Sequence, residues 1–260
     1  MYGIMKKAVI LCACVAGIFT GTAGVQAQAA LLPTPAPDAL TILDRVDANQ
    51  VYATIYYEGK MEIFSGGKSK VKTMIAWASG SEKSLIEFTN PEDRGVRMLK
   101  LEKNLWMYFP REKDTVKISG SLLRQGMMGS DFSYEDAMES DELRSLYSAS
   151  VLRMEEVEGR NCYVLELAAR TRDVAYSKRM VWVDAERWIV MRAELYARSG
   201  MLLKVHRTLD VAKMGSRYFP SVTELSDAIK KNSRTVMSMT SLVLDKPIDE
   251  AKFSLQALTR

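Results

Sequence analysis

The chain has 260 residues, 47% hydrophobic and 26% charged, an ordinary globular composition with enough apolar material for a substantial core. A formal charge of +4, of which Lys6 and Lys7 supply two units, is too weak for a nucleic-acid binder, which concentrates Lys and Arg on one face. Two of the three cysteines, Cys12 and Cys14, lie near the start, so the body of the chain keeps only Cys162 and has no internal disulfide.

Residues 1–29 read as a secretory signal. Lys6-Lys7 form the basic opening, residues 8–19 the apolar run, and Val25-Gln26-Ala27 and Ala27-Gln28-Ala29 both fit the small-x-small cleavage pattern. The run is too short to span a bilayer, and no later stretch reaches about 18 uncharged apolar residues, so a periplasmic mature chain without a membrane span is expected. Leu11-Cys12-Ala13-Cys14 weakly resembles a lipobox, and the alternative is a chain lipid-anchored through Cys14. Residues 30–38 form a Pro-rich linker, and 39–260 read as one domain.

Asp38 is a predicted cap for a helix over 39–49 with Leu40, Leu43 and Val46 on one face. Period-two alternation then predicts strands over 51–64, 70–78, 84–89, 96–102, 105–109 and 115–119, the first two joined by a turn at Ser65-Gly66-Gly67. Residues 120–148 break the pattern as a helical excursion. Gly126 and Gly129 are its candidate hinges, Ser133 its cap with Asp136 at the third helical position, and Leu143, Leu146 and Tyr147 follow at helical spacing. Strands resume over 150–156, 162–169, 177–184, 187–198, 201–212, 219–229 and 235–244, and Phe253 and Leu255 are expected to dock the tail. The connections are too short for parallel crossovers, so the sheet is antiparallel. About a dozen strands with two helical pieces make a mainly β fold with some α. A sheet that large curls, and wrapped around helices it forms an open barrel with an apolar interior.

Three stretches carry a family resemblance: Phe88-Thr89-Asn90-Pro91 with Gly95, Leu105-Trp106-Met107-Tyr108-Phe109-Pro110, and Met128-Gly129-Ser130-Asp131-Phe132-Ser133-Tyr134-Glu135-Asp136. Gly159, Tyr163, Trp182 and the paired strands within 187–212 also fit. Over roughly residues 40–253 the chain resembles the LolA-like outer membrane lipoprotein-sorting proteins, in particular the branch associated with RND-type exporters. The resemblance implies an unclosed, strongly bent antiparallel barrel covered by helices, with acyl chains held in the apolar space between. It also implies a non-enzymatic periplasmic chaperone that moves lipoprotein acyl chains or other lipids towards the outer membrane. Its partners would be an inner-membrane exporter and an outer-membrane acceptor, and it would act as a monomer. The best-studied LolA proteins use an early-strand Arg in closure; residues 51–64 here carry none.

For a lipid carrier the candidate cavity liners are Trp77, Trp106, Tyr108, Met127, Met128, Phe132 and Trp182, because aromatic and Met side chains make broad, adaptable apolar walls. The competing reading of each is plain core packing. An enzyme acting on lipid or cell wall has little to work with. There is no G-x-S-x-G, the sole histidine, His206, reads as a structural or exposed strand residue, and Cys162 reads as a small packed side chain. The acidic run Glu135, Asp136, Glu139, Asp141 and Glu142 lacks calcium-loop spacing, and no cofactor or metal is expected. The further alternative is a non-enzymatic adaptor of an envelope export complex that pairs a partner strand at an open sheet edge.

Overall fold

The computed structural model describes residues 37–138 and 143–260. The predicted signal segment, Cys12, Cys14, most of the Pro-rich linker, and Glu139, Asp141 and Glu142 lie outside the described residues.

Asp38 starts the first helix, α1 (Ala39–Gln50), as expected. Its Oδ1 accepts from the Thr41 N–H at 3.0 Å and its Oδ2 from the Thr41 hydroxyl at 2.6 Å. One short side chain thereby satisfies a donor that the first turn leaves open. The buried stripe is Ala39, Ile42, Leu43, Val46 and Asn49. Leu40, expected on it, is exposed; at 3.6 residues per turn it falls well outside the arc that those five share. Asn49 fixes the end of the helix to the sheet. Its Nδ2 donates to the carbonyls of Arg187 and Trp188, and its Oδ1 accepts from the Tyr218 N–H.

The first run of strands is β1 (Thr54–Ser65), β2 (Lys68–Ser79), β3 (Lys83–Phe88), β4 (Arg97–Leu101), β5 (Asn104–Phe109) and β6 (Asp114–Ile118). The second is β7 (Tyr147–Val157), β8 (Arg160–Ala169), β9 (Lys178–Asp184), β10 (Val190–Tyr196), β11 (Leu202–Met214), β12 (Arg217–Asp227) and β13 (Arg234–Leu244). Every predicted strand is present, with ends displaced by three residues at most. Gly66 and Gly67, both at positive φ, close the two-residue β1–β2 turn, the geometry that matches strand twist and that glycine adopts without strain.

All pairings are antiparallel, in the order β6-β5-β4-β3-β2-β1-β13-β12-β11-β10-β9-β8-β7. β1 lies against β13, with Met61 opposite Met237, so the first and last strands meet in mid-sheet. The strands adjacent in sequence across the helical excursion, β6 and β7, become the two outer edges. The barrel stays open, and the connection between its edges crosses the concave side. That crossover consists of single 3-10 turns at Gly120–Arg124 and Met127–Gly129, then α2 (Tyr134–Met138) and α3 (Leu143–Leu146). Tyr147, expected within the helical excursion, instead begins β7. It is fully buried, and its hydroxyl donates to the Tyr176 carbonyl at 2.8 Å.

Two covers close over one sheet. α1 packs through Ile42, Leu43 and Val46 on the inward residues of β7–β10, among them Tyr163, Leu165, Val181 and Leu195. The crossover packs on the inward residues of β1–β6, a methionine-rich patch of Met61, Met74, Met98 and Met107 with Phe88. The outer face of β2–β5 is covered too, by the tail: Phe253 and Leu258 seat against Leu85 and Leu99. Leu258 at the end of α4 (Leu255–Leu258) is wholly buried, whereas Leu255, expected to dock, is exposed.

Candidate functional site

The crossover is held down by two carboxylates. Asp131 is buried against β13. Its Oδ1 accepts from the Ser233 hydroxyl at 2.5 Å and its Oδ2 from the Thr235 hydroxyl at 2.7 Å. Asp136 closes the expected capping box, accepting from the Ser133 N–H at 2.7 Å while the Asp136 N–H donates to Ser133 Oγ at 3.2 Å. The same carboxylate accepts from Lys204 Nζ on β11 at 2.5 Å and from the Tyr176 hydroxyl at 2.6 Å. Burial pushes the Asp136 carboxyl up, but the Lys204 charge and the hydrogen bonds from Lys204 and Tyr176 outweigh it and hold it below the ordinary carboxylate value.

Between these anchors the chain folds tightly on itself. The Met127 N–H donates to the Phe132 carbonyl at 2.7 Å, and the Tyr134 N–H to the Gln125 carbonyl at 3.2 Å. Gly126 has an ordinary φ, and its requirement is space: a Cβ there would lie 2.2 Å from the Ser130 carbonyl oxygen. Phe132 follows this tight fold and packs against the methionine-rich cluster.

Beneath Phe132 the concave face holds an apolar cleft of two adjoining, partly open lobes, about 360 and 350 Å³. Each falls within the size range of small-molecule sites. The first is walled by Ile55, Tyr57, Met74, Met127, Met237 and Ile86. The second is walled by Val181, Val190, Ala193, Leu195, His206 and Leu225, with Asp136 and Arg179 at its margin. Gln50, Phe132, Phe219, Thr223 and Met239 belong to both and form the partition.

The sequence-based candidates separate into two groups. Met127 and Phe132 line the cavity, and Met128 packs in the crossover beside them with a left-handed φ of 52°. Trp77 borders the first lobe, but its ring lies under Lys252 on the outer side of the sheet. Trp106 and Tyr108 face outward, against the docked tail; their neighbours Leu105 and Met107 are the buried inward pair. Trp182 also faces away from the cavity, in a cluster with Cys162, Val164 and Ile189, and Arg192 lies over its ring at 5.2 Å. The alternation was read correctly, but a strand that buries residues on both faces does not declare which face is concave.

Gln50, Phe219, Thr223, Met237, Met239 and His206 were not singled out as liners. The inward parity of β12 and β13 was the available signal for Phe219, Thr223, Met237 and Met239, and nothing local marked Gln50. His206 is neither exposed nor packed in a closed core. It is half-buried, with its ring on the second lobe, and burial pushes its pKa down to about 4, so the imidazole is neutral at physiological pH. Burial, with the Asp184 charge adding to it, pushes the Cys162 thiol up to about 12, which makes it a packed side chain without thiolate chemistry. Among the described residues, no cluster of His, Cys, Asp and Glu is arranged to hold a metal, and no helix is long and apolar enough to cross a membrane.

Residues 80–260 match a family model described as an uncharacterized protein family. No curated protein matches the chain. Among solved structures, a DUF1329 family protein from Desulfovibrio piger is 26% identical, with a TM-score of 0.78 over 84% of this chain and 96% of that one. An outer membrane lipoprotein-sorting protein domain from Vibrio parahaemolyticus is 22% identical, with a TM-score of 0.76 over 85% and 98%. A LolA superfamily protein from Nitrosomonas europaea is 22% identical, with a TM-score of 0.71 over 85% and 100%. The chain therefore belongs to the uncharacterized family of that model, and its fold is LolA-like.

Proposed function

We propose that the protein is a periplasmic lipid carrier that shelters acyl chains in the two-lobed cavity and moves them towards the outer membrane. One observation carries this reading: two adjoining apolar lobes lie between a curved sheet and a separately anchored cover, lined by Met, Phe and aliphatic side chains. Acyl burial contributes about 0.8 kcal/mol per CH2, so binding is useful and still reversible. Besides its apolar packing, the cover is tied to the sheet by a few polar contacts at Asp131 and Asp136, and these can part and reform as cargo enters and leaves. The chemistry of the cavity supports carriage over catalysis. His206 is neutral and makes no hydrogen bond to a described nucleophile or carboxylate, the arrangement that acyl transfer would need.

The test is native mass spectrometry of the mature protein purified from its own periplasm, followed by lipid extraction. A discrete added mass that extracts as an acylated species is expected. A bare protein that also takes up no fluorescent acyl probe would overturn the reading and favour an envelope adaptor.

A further inference from the structure

Three polar side chains that line this apolar cavity make no side-chain hydrogen bond to the described residues. Gln50 and Thr223 stand on the partition between the lobes, and His206 stands beside them on the second lobe. In the β11–β12 register His206 lies opposite Leu225 and Thr208 lies opposite Thr223, so His206 and Thr223 are diagonal neighbours on the concave face. Thr208 is committed, donating to the Val190 carbonyl at 2.6 Å. Gln50, Thr223 and His206 make no side-chain hydrogen bond among the described residues. Polar groups that face a partly open apolar cleft and pair with no protein group are free to bond a ligand, and a ligand that pairs them is favoured over one that cannot.

The partition itself carries no charged side chain. Asp136 is matched by Lys204, and Arg179 lies over the rings of Tyr147 and Tyr176 at 4.9 and 5.2 Å. A carboxylate or phosphate would need cationic or several convergent N–H donors. What the partition offers is an amide, a hydroxyl and an imidazole, each able to donate one hydrogen bond and accept another. The two lobes on either side are nearly equal in volume and apolar.

We infer that the cavity takes a two-chain lipid astride the partition, one acyl arm in each lobe, with its uncharged ester- or amide-type linkage hydrogen-bonded by Gln50, Thr223 and His206. This rests on the carrier reading and specifies its ligand class.

The test compares dipalmitoylglycerol with the dihexadecyl diether of glycerol, which keeps the two chains and removes the carbonyls. Both are delivered from cyclodextrin and measured by competition against a fluorescent single-chain acyl probe on the mature protein. The diester is expected to bind about fivefold more tightly than the diether, the scale of one or two neutral hydrogen bonds. In Thr223→Val and His206→Leu that preference shrinks to less than about twofold. Native mass spectra are expected to show one diester, but two methyl palmitates, per chain at saturation.

Equal binding of diester and diether by the wild-type protein overturns the linkage assignment, with no variant needed. A preference that survives both substitutions overturns it as well. A single methyl palmitate per chain at saturation overturns the two-arm arrangement. These three failures leave the carrier reading standing, whereas no binding of the probe or of either lipid sinks both.

Discussion

Thr235 and Asp131 hold each other through both partners' polar groups. The Thr235 hydroxyl donates to Asp131 Oδ2 at 2.7 Å, and the same oxygen accepts from the Asp131 N–H at 3.0 Å. Both residues are buried, so neither water nor a neighbour replaces a lost bond. Thr235→Val keeps the shape, strands the backbone N–H and removes one of the two hydroxyls on a buried carboxylate. The expected loss is about 1–3 kcal/mol, which lowers the melting midpoint by about 2–4 °C per kcal/mol. Thr235→Ser retains most of the stability. A Val variant that melts like wild type would show that the crossover is anchored elsewhere.

Gly126 and Gly129 look alike in sequence and differ in cause. Gly129 sits at φ +83°, with open space where a Cβ would project, so Gly129→Ala meets only backbone strain of about 1–2 kcal/mol. Gly126 has room in φ and none in space, because its Cβ would collide with the Ser130 carbonyl, a backbone atom that cannot turn aside. Gly126→Ala should therefore be the more damaging change and should displace the loop that carries Phe132. Urea unfolding of the two variants, with acyl-probe binding measured on each, separates them: Gly129→Ala keeps binding and Gly126→Ala loses it. The reverse order would mean that the loop does not hold Phe132 in place.

The order of these elements was legible, and their facing was only partly so. Asp38 and Ser133 announced their helices because capping chemistry is local, and the Gly66-Gly67 turn was equally plain. Trp106 and Tyr108 misled because β5 is apolar on both faces: one meets the methionine patch, the other a tail about 150 residues later in the chain. No pattern within six residues encodes a cover that arrives from so far along the sequence. His206 was underrated for a related reason. Its lobe is assembled by β9–β13, α1 and the crossover together, and β11 alone shows only a lone histidine among charges.

The Lys204–Asp136 pair gives the crossover a pH dependence whose sign follows from the lowered Asp136 carboxyl. A carboxyl held below its unfolded value stabilises the fold above that value, and the stabilisation fades as pH falls through the lower folded value. Wild-type stability from this group is thus flat near neutrality and declines below about pH 4. Lys204→Met removes the charge that opposes burial, so the Asp136 carboxyl rises above its unfolded value. The variant should lose up to about 3 kcal/mol at pH 7. It should then regain stability as the pH is lowered towards 4, the opposite slope. Urea midpoints from pH 7 to 3 would show it, and parallel curves for the two proteins would remove Asp136 from the account.

Phe132 and Trp106 are both aromatic side chains within the family-like stretch, and the fold gives them opposite faces. Phe132 borders both lobes, so Phe132→Ala merges them and takes away a wall that any apolar ligand touches. Trp106 is half-buried beneath the docked tail, with Lys117 Nζ 5.6 Å from its ring, and shares no boundary with either lobe. Trp106→Ala is therefore expected to cost about 1–2 kcal/mol of stability through lost apolar burial and to leave acyl-probe affinity within about twofold of wild type. Phe132→Ala should weaken the probe several-fold at a similar or smaller loss of stability, because it opens space already continuous with the cavity. Titrating both variants at a temperature where each is folded decides the matter. If Trp106→Ala lost binding and Phe132→Ala kept it, the ligand would lie on the outer face of β2–β5, and the concave cavity would be only a packing defect.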